Sequence, residues 1–237
     1  ARFQEDVIKS IKDSFEEERI PIFVGGTMMY FHHLVEGISK LPKVSEAIRA
    51  QVESEFEREG SQKMHDHLKT IDSKSSTKIH FNDSQRIKRA IEVYRSTGQE
   101  LSKWQEEKKK EVSEIITKSN LKQIALIPES RDLHREVISE RFKMMIKEGL
   151  VEEVEDILNI NGMSYASHSM KSVGYRQVCE YLAGDHGLDD MIEKSVNATR
   201  QLAKRQMTWI NNWNNLIKVD KKESPLDTVN DLIKKNI

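Results

Sequence analysis

Cysteine is nearly absent from this chain: Cys179 is the only one in 237 residues. That excludes an internal disulfide framework and a Cys-rich zinc site, and it fits a reducing compartment such as the cytoplasm. Cys179 itself reads as a small core residue on a helix. Long apolar runs are missing as well, and none approaches the roughly 20 residues that a membrane-spanning helix needs. No succession of basic, apolar and small residues of signal-peptide type is visible in the sequence. There is no internal repeat and no low-complexity tract. A surplus of one charge is also lacking, since 38 Lys and Arg face 39 Asp and Glu for a formal net charge of −1. Indiscriminate nucleic-acid binding needs a basic surplus, so it is disfavoured, although a local basic channel is still allowed. His32 and His33 are adjacent, and His65 and His67 are two apart. Neither pair has the helical i,i+4 spacing of a metal site, so solvent-exposed histidines are the simpler reading and no metal ligands are assigned. No nucleophilic triad is recognisable.

What is present is helix-rich. Hydrophobic residues make up 37% and charged residues 32%, a balance that fits exposed amphipathic helices in one large or two small domains. Residues 2–18 read as a helix with Phe3, Val7, Ile8, Ile11 and Phe15 as its stripe. Residues 20–24 are apolar, too short for a helix and followed by two glycines, which predicts a buried strand. A helix over 27–35, ending near Gly37, completes one unit of a parallel α/β sheet. From residue 41 the pattern turns helical, with helices over 43–60, 61–68, 83–97 and 100–110 and a polar connector over 108–118. Strand character returns over 121–127 and stops at Pro128. Helices follow over 131–147, 150–158, 170–183 and 187–213, then a strand over 216–219 and a helix over 225–236. The expected organisation is an α/β core of residues 1–39 and 119–237, interrupted by a helical insertion over 40–118.

Several residues stand out chemically. Gly25-Gly26-Thr27 joins a strand to a helix, where backbone N–H groups and the helix N-terminus favour an anion. Gly-Gly-Thr is a weak signal, however, and taken alone an ordinary turn with Thr27 as N-cap is the preferred reading. On the wheel of 131–147, Arg141 sits amid Leu133, Val137, Ile138, Phe142, Met144 and Met145. Buried there, it requires either a structural carboxylate or a bound anion, and the residues leave both open. Arg86 and Arg89 share an exposed helix face with Gln85 and Lys88 near, which suits phosphates and base edges as well as plain solvent. Lys171, Tyr175 and Arg176 surround Gly174, the ingredients for holding an unstacked nucleotide, unless the tyrosine packs inward. On the helix over 187–213, Leu202, Ala203, Trp209, Ile210 and Trp213 form the expected buried arc, which Thr199 and Gln206 share. Buried Thr and Gln need partners. Arg200, Lys204 and Thr208 form a separate polar face.

Taken in order, Val24-Gly-Gly-Thr-Met-Met-Tyr30, Asn82-Asp-Ser-Gln-Arg-Ile-Lys-Arg89, Glu140-Arg-Phe142, Gly149-Leu-Val-Glu-Glu-Val154, Val173-Gly-Tyr-Arg-Gln177 and Ala198-Thr-Arg-Gln-Leu-Ala-Lys-Arg-Gln206 resemble the tRNA dimethylallyltransferases over nearly the whole chain. The resemblance implies transfer of a dimethylallyl group from dimethylallyl diphosphate to N6 of adenosine 37 in tRNAs reading U-initial codons. It implies a partial P-loop NTPase-like parallel sheet core with a helical insertion that grips the anticodon stem-loop, acting as a cytoplasmic monomer with Mg²⁺ and a nucleotide-binding fold. Under it, Arg141 is the catalytic arginine and holds the diphosphate with Gly25, Gly26 and Thr27. Contacts to tRNA fall to Thr27, Arg49, the run Gln85, Arg86, Ile87, Lys88, Arg89 and the run Lys171, Ser172, Val173, Gly174, Tyr175, Arg176. Arg200 and Lys204 would support the substrate channel. Lys171 stands where arginine is usual and keeps the charge without the bidentate geometry. No G-x-x-x-x-G-K-[ST] occurs in the 237 residues, and the family's catalytic aspartate has no counterpart, so the chain is expected to be the larger, C-terminal part of such an enzyme and inactive alone. Two rivals stay open: a P-loop nucleotide kinase-like enzyme, which would bind nucleoside triphosphates, and a non-catalytic tRNA-binding protein.

Overall fold

A computed structural model describes residues 2–37, 41–106, 121–220 and 225–234. The chain divides into two compact units, Ala1–Leu121 and Lys122–Ile237. The expected connector over 108–118, the end of the helix expected over 100–110 and residues 235–236 lie outside the described residues.

In the first unit, α1 (Arg2–Glu16) and α2 (Met28–Glu36) share a small cluster of Val7, Ile11 and Leu34, with Phe3 and Ile8 packed on it. The Phe3 and Tyr30 rings stack at 4.3 Å. Phe15, expected in the stripe, is exposed. The strand expected over 20–24 does not form: these residues lack strand pairing, and Val24 is 92% exposed. A strand is completed only by a neighbour that accepts its N–H and C=O groups, and no described strand lies alongside.

The helical stretch begins with α3 (Glu46–Ile71), capped by Ser45, whose hydroxyl accepts from the Ile48 N–H at 3.4 Å. Gly60, at φ 78° and ψ 168°, breaks α3 between the two helices expected from the sequence. Then come α4 (Ser73–Lys78), α5 (Ser84–Thr97) and α6 (Leu101–Glu106). Gly98, at φ 71°, ends α5 with its N–H donating to the Tyr94 carbonyl at 2.7 Å. α5 packs along α3 through a core of Val52, Leu68, Ile87, Ala90, Ile91 and Val93, all fully buried. Arg95 clamps the pair with two hydrogen bonds to Glu55, at 2.8 and 2.6 Å.

The second unit carries a two-stranded parallel sheet of β1 (Ile124–Ile127) and β2 (Ile217–Asp220), with Ile124 opposite Ile217. The Trp213 indole N–H donates to the Gln123 side-chain oxygen at 2.6 Å beside it. Around the sheet in sequence run α7 (Arg131–Lys147), α8 (Leu150–Leu158), a 3-10 turn (Ser169–Lys171), α9 (Tyr175–Leu182), α10 (Leu188–Asn211) and α11 (Pro225–Lys234). Their core gathers Ile138, Phe142, Val154, Met170, Val178 and Met191. The described fold is therefore mostly helical α/β with a small parallel sheet.

Candidate functional site

In the first unit the basic stretch over 85–89 is ordered by its helix start. The Asp83 carboxylate accepts from the Arg86 N–H at 3.2 Å, an N-cap that sets the faces of α5. Ile87 turns into the core and is fully buried. Gln85 and Arg86 are exposed, with Arg86 in an exposed pair with Asp83 at 3.3 Å. Arg89 is half-buried and reaches Glu92 at 3.5 Å and the Pro42 carbonyl at 3.4 Å. Lys88 points elsewhere: it pairs with Glu53 at 2.7 Å and lies 5.3 Å from the Phe56 ring centre. Arg86 and Arg89 thus share a cleft of about 310 Å³, while Lys88 serves the α3–α5 contact. The rest of that cleft includes Lys74, Ser75, Lys78 and Ser102, which the sequence reading did not single out.

Asp72 holds α4 and α6 in place. Its carboxylate accepts from the Ser75 N–H at 2.9 Å, the Ser75 hydroxyl at 2.6 Å and the Ser102 N–H at 2.9 Å. Burial pushes the Asp72 carboxyl up, but the hydrogen bonds from Ser75 and Ser102 outweigh it and the net displacement is downward. The signal was readable as an Asp three residues before a Ser, a helix-start pattern. His65, expected exposed, is half-buried, and its Nε2 lies 2.8 Å from the Ile79 carbonyl and 3.1 Å from that of Ser76.

Gly25, Gly26 and Thr27 lie exposed before α2. Thr27 is the N-cap residue, yet its hydroxyl makes no capping hydrogen bond. The Tyr30 N–H donates to the Thr27 carbonyl at 2.9 Å. Arg49 is exposed on the first turn of α3.

In the second unit, Gly174 at φ 95° and ψ −64° starts α9, a conformation that favours glycine. Its N–H donates to the buried Gln177 side chain at 2.9 Å. Tyr175 follows with its ring packed on the core and its hydroxyl donating to the Glu153 carboxylate. That hydrogen bond raises the phenol pKa. Tyr175 is therefore tied to α8, the inward alternative of the two readings. Lys171 and Arg176 line a cleft of about 590 Å³ with Tyr165, Cys179, Glu180 and Asp185. Arg176 sits 3.7 Å from Glu180. Burial, helped by Glu180, pushes the Cys179 thiol up. The exposed aromatic in this cleft is Tyr165, which sequence reasoning missed because it lies outside any helical stripe. The Ser172 hydroxyl donates to the Ser169 carbonyl at 2.7 Å, and Val173 is half-buried.

Arg141 corrects an expectation. It is exposed, along with Leu133, Val137 and Met144, while only Ile138 and Phe142 of the apolar arc are buried. The arc is wider than the contact with neighbouring helices, so its middle falls at the edge of the core and not inside it. On α10, Leu202 and Trp209 are likewise exposed, and only Ile210 of that arc is buried. The Thr199 hydroxyl donates to the Ser195 carbonyl at 2.8 Å, so its own helix satisfies it. Arg200 is half-buried, its Nε lacking a hydrogen-bond partner, and Lys204 is exposed. Among the described residues no cluster of three or more His, Cys, Asp or Glu is placed to hold a metal ion. No described helix is long and apolar enough to cross a membrane.

A helical α/β chain with a basic cleft in its first unit, and in its second a cleft of mixed charge where Lys171 and Arg176 face Glu180 and Asp185, is the class of structure that known proteins can now refine. The IPP transferase family model matches residues 1–213. The chain therefore belongs to the IPP transferase family, that of the tRNA prenyltransferases. It is similar to the full-length tRNA isopentenylpyrophosphate transferase of Bacillus halodurans, at 28% identity and a TM-score of 0.62, over 99% of this chain and 72% of that one. The tRNA delta(2)-isopentenylpyrophosphate transferase of Staphylococcus epidermidis is also 28% identical, with a TM-score of 0.59 over 98% and 75% of the two chains. A eukaryotic dimethylallyltransferase acting on tRNA shares the fold at a TM-score of 0.72, with 23% identity over 100% of this chain and 62% of that one.

Proposed function

We propose that this chain serves the transfer of a dimethylallyl group from dimethylallyl diphosphate to the exocyclic N6 of adenosine 37, in the anticodon stem-loop of tRNAs reading U-initial codons. The observation that carries the reading is the family match across residues 1–213 of the 237. In this reading residues 1–39 and 119–237 make a P-loop NTPase-like core and 40–118 is its tRNA-binding insertion. The protein works as a cytoplasmic monomer.

The chemistry follows from the groups. The N6 lone pair bonds to the allylic carbon, the C–O bond breaks with its electrons passing to the diphosphate, and the N6 proton goes to a base. Negative charge builds on the departing oxygens. Arg141, with backbone donors at Gly25, Gly26 and Thr27, is assigned to that charge. The adenine leaves its stack at a cost of a few kcal/mol. Lys171, Ser172, Val173, Gly174 and Arg176 are assigned to the loop nucleotides, as are Thr27, Arg49 and residues 85–89. Ile87 anchors that helix to the core and does not reach the RNA itself, since its side chain is buried and its N–H donates to the Asp83 carbonyl at 3.0 Å. Arg200 and Lys204 are assigned to support of the substrate channel. Mg²⁺ would neutralise the leaving diphosphate, but the described residues offer it no ligand cluster, and no step is assigned through it.

The base and the P-loop lysine have no counterpart in the 237 residues, so the chain as it stands should bind the anticodon stem-loop without transferring the prenyl group. Binding should fall steeply with salt, and an affinity untouched by Arg86→Ala/Arg89→Ala would reduce that helix to a solvated face. In an enzyme form that also carries the P-loop, Arg141→Ala should lower the single-turnover rate by roughly 10²–10³. Its Tm should barely move, because Arg141 is exposed. A large stability loss with a normal rate would remove Arg141 from the diphosphate site.

A further inference from the structure

We infer that the cleft between α4, α5 and α6 is a binding site for a phosphodiester of an RNA backbone, with Lys74 and Lys78 as ligands beside Arg86 and Arg89. Four cationic side chains line this cleft of about 310 Å³, and no carboxylate does. In a chain of net charge −1, that is a segregated basic concavity, and concave walls strengthen the attraction for an anion. The carboxylates nearest these cations lie outside the lining: Glu106 at 3.0 Å from Lys74, Asp83 at 3.3 Å from Arg86 and Glu92 at 3.5 Å from Arg89. Lys78 is exposed and pairs with no carboxylate among the described residues. Pairs as exposed as Lys74–Glu106 hold their partners weakly, so a phosphate can displace them.

The walls are also preorganised. Buried Asp72 binds both the first turn of α4 and the Ser102 N–H at the start of α6, so the backbone of the walls is fixed in advance and only the lysine side chains are left to order on binding. The lining holds no aromatic side chain. Nothing in it stacks a base, and what it recognises is backbone charge, not a nucleoside. The site extends the RNA footprint onto α4, a helix with no assigned role, and it rests on the tRNA reading above.

The test uses the full chain and a labelled anticodon stem-loop RNA, with affinity measured over a salt series. Lys74→Gln/Lys78→Gln should flatten the slope of log K against log salt by about one, the single phosphodiester contact that the two lysines share. Across the tenfold span from 1 M to 0.1 M salt, that amounts to about tenfold in affinity. Lys63→Gln/Lys103→Gln removes the same charge from exposed lysines outside the cleft and should leave the slope nearly unchanged. Equal effects from the two pairs would overturn the site in favour of diffuse attraction. An unchanged slope in the cleft variant, with Arg176→Ala still weakening binding, would overturn the cleft alone. If the unaltered chain fails to bind the RNA, the tRNA reading falls with it. Titration with inorganic phosphate and ATP adds the last arm: saturable binding lost in the cleft variant, with RNA affinity intact, would reassign the cleft to a free phosphorylated ligand.

Discussion

Residues 41–106 and residues 20–27 belong to one unit and keep their apolar side chains in opposite places. In the first stretch Leu68, Ile87 and Ile91 are fully buried between helices close in the chain, whereas Val24 in the second is 92% exposed. A helix satisfies its own backbone, so an amphipathic stripe needs only one neighbouring face to become a core. An extended segment has no internal hydrogen bonds and must find a partner strand. In the second unit β1 and β2 found each other across the intervening helices. The lesson is that burial in this chain follows where backbone hydrogen bonds can close, and not hydrophobicity as such.

The sharpest way to break this contrast is a matched truncation. Leu68→Ala should cost about 3 kcal/mol in denaturant unfolding, because it empties a fully buried site. Val24→Ala should stay below about 0.5 kcal/mol, and similar losses at both positions would show that residues 20–24 are packed in solution. Next in size is Asp72→Ala, expected to cost about 2–3 kcal/mol through a lost cap and stranded donors. Asp72 titrates below its ordinary value of 3.8, so its contribution is fully present above that pH and is lost as the pH falls through the lower folded value. A stability profile between pH 5 and 2 that is the same for Asp72→Asn as for the unaltered chain would contradict this. The smallest effect belongs to the α3–α5 clamp. The Arg95 hydrogen bonds hold the Glu55 carboxyl below its ordinary range, but the pair is about one-third exposed. Glu55→Gln should cost about 1 kcal/mol, with a double-mutant cycle against Arg95→Met reading the coupling.

Much of this was legible in the sequence where the signal is local. Ser45, Asp83 and Ser130 begin helices as their type suggests. Gly60 interrupts the pattern where the chain bends, and Gly98 ends α5. Strand β2 and its parallel sense fit the α/β reading. What failed was non-local. Residues 20–24 have a strand's composition, but composition cannot supply a neighbour. Arg141 lies at the centre of an apolar arc that is only half covered, and arc width cannot say which half. Helix α4 has no apolar residue in Ser73–Lys78, so periodicity could not find it, and the basic cleft it borders stayed hidden. The basic groups around Gly174 were found, but the exposed ring among them is Tyr165 and not Tyr175.

The solitary thiol gives the second unit a built-in clock. Cys179 is buried in the middle of a short helix, and its pKa is raised, so an alkylating reagent meets almost no thiolate in the closed protein. Labelling must wait for α9 to open, and at high reagent concentration the modification rate becomes the opening rate. With one cysteine in the whole sequence, mass spectrometry of the intact chain follows that opening without peptide mapping. The same trace taken with RNA bound would report how far the ligand slows the breathing of the wall that Lys171 and Arg176 share with Cys179.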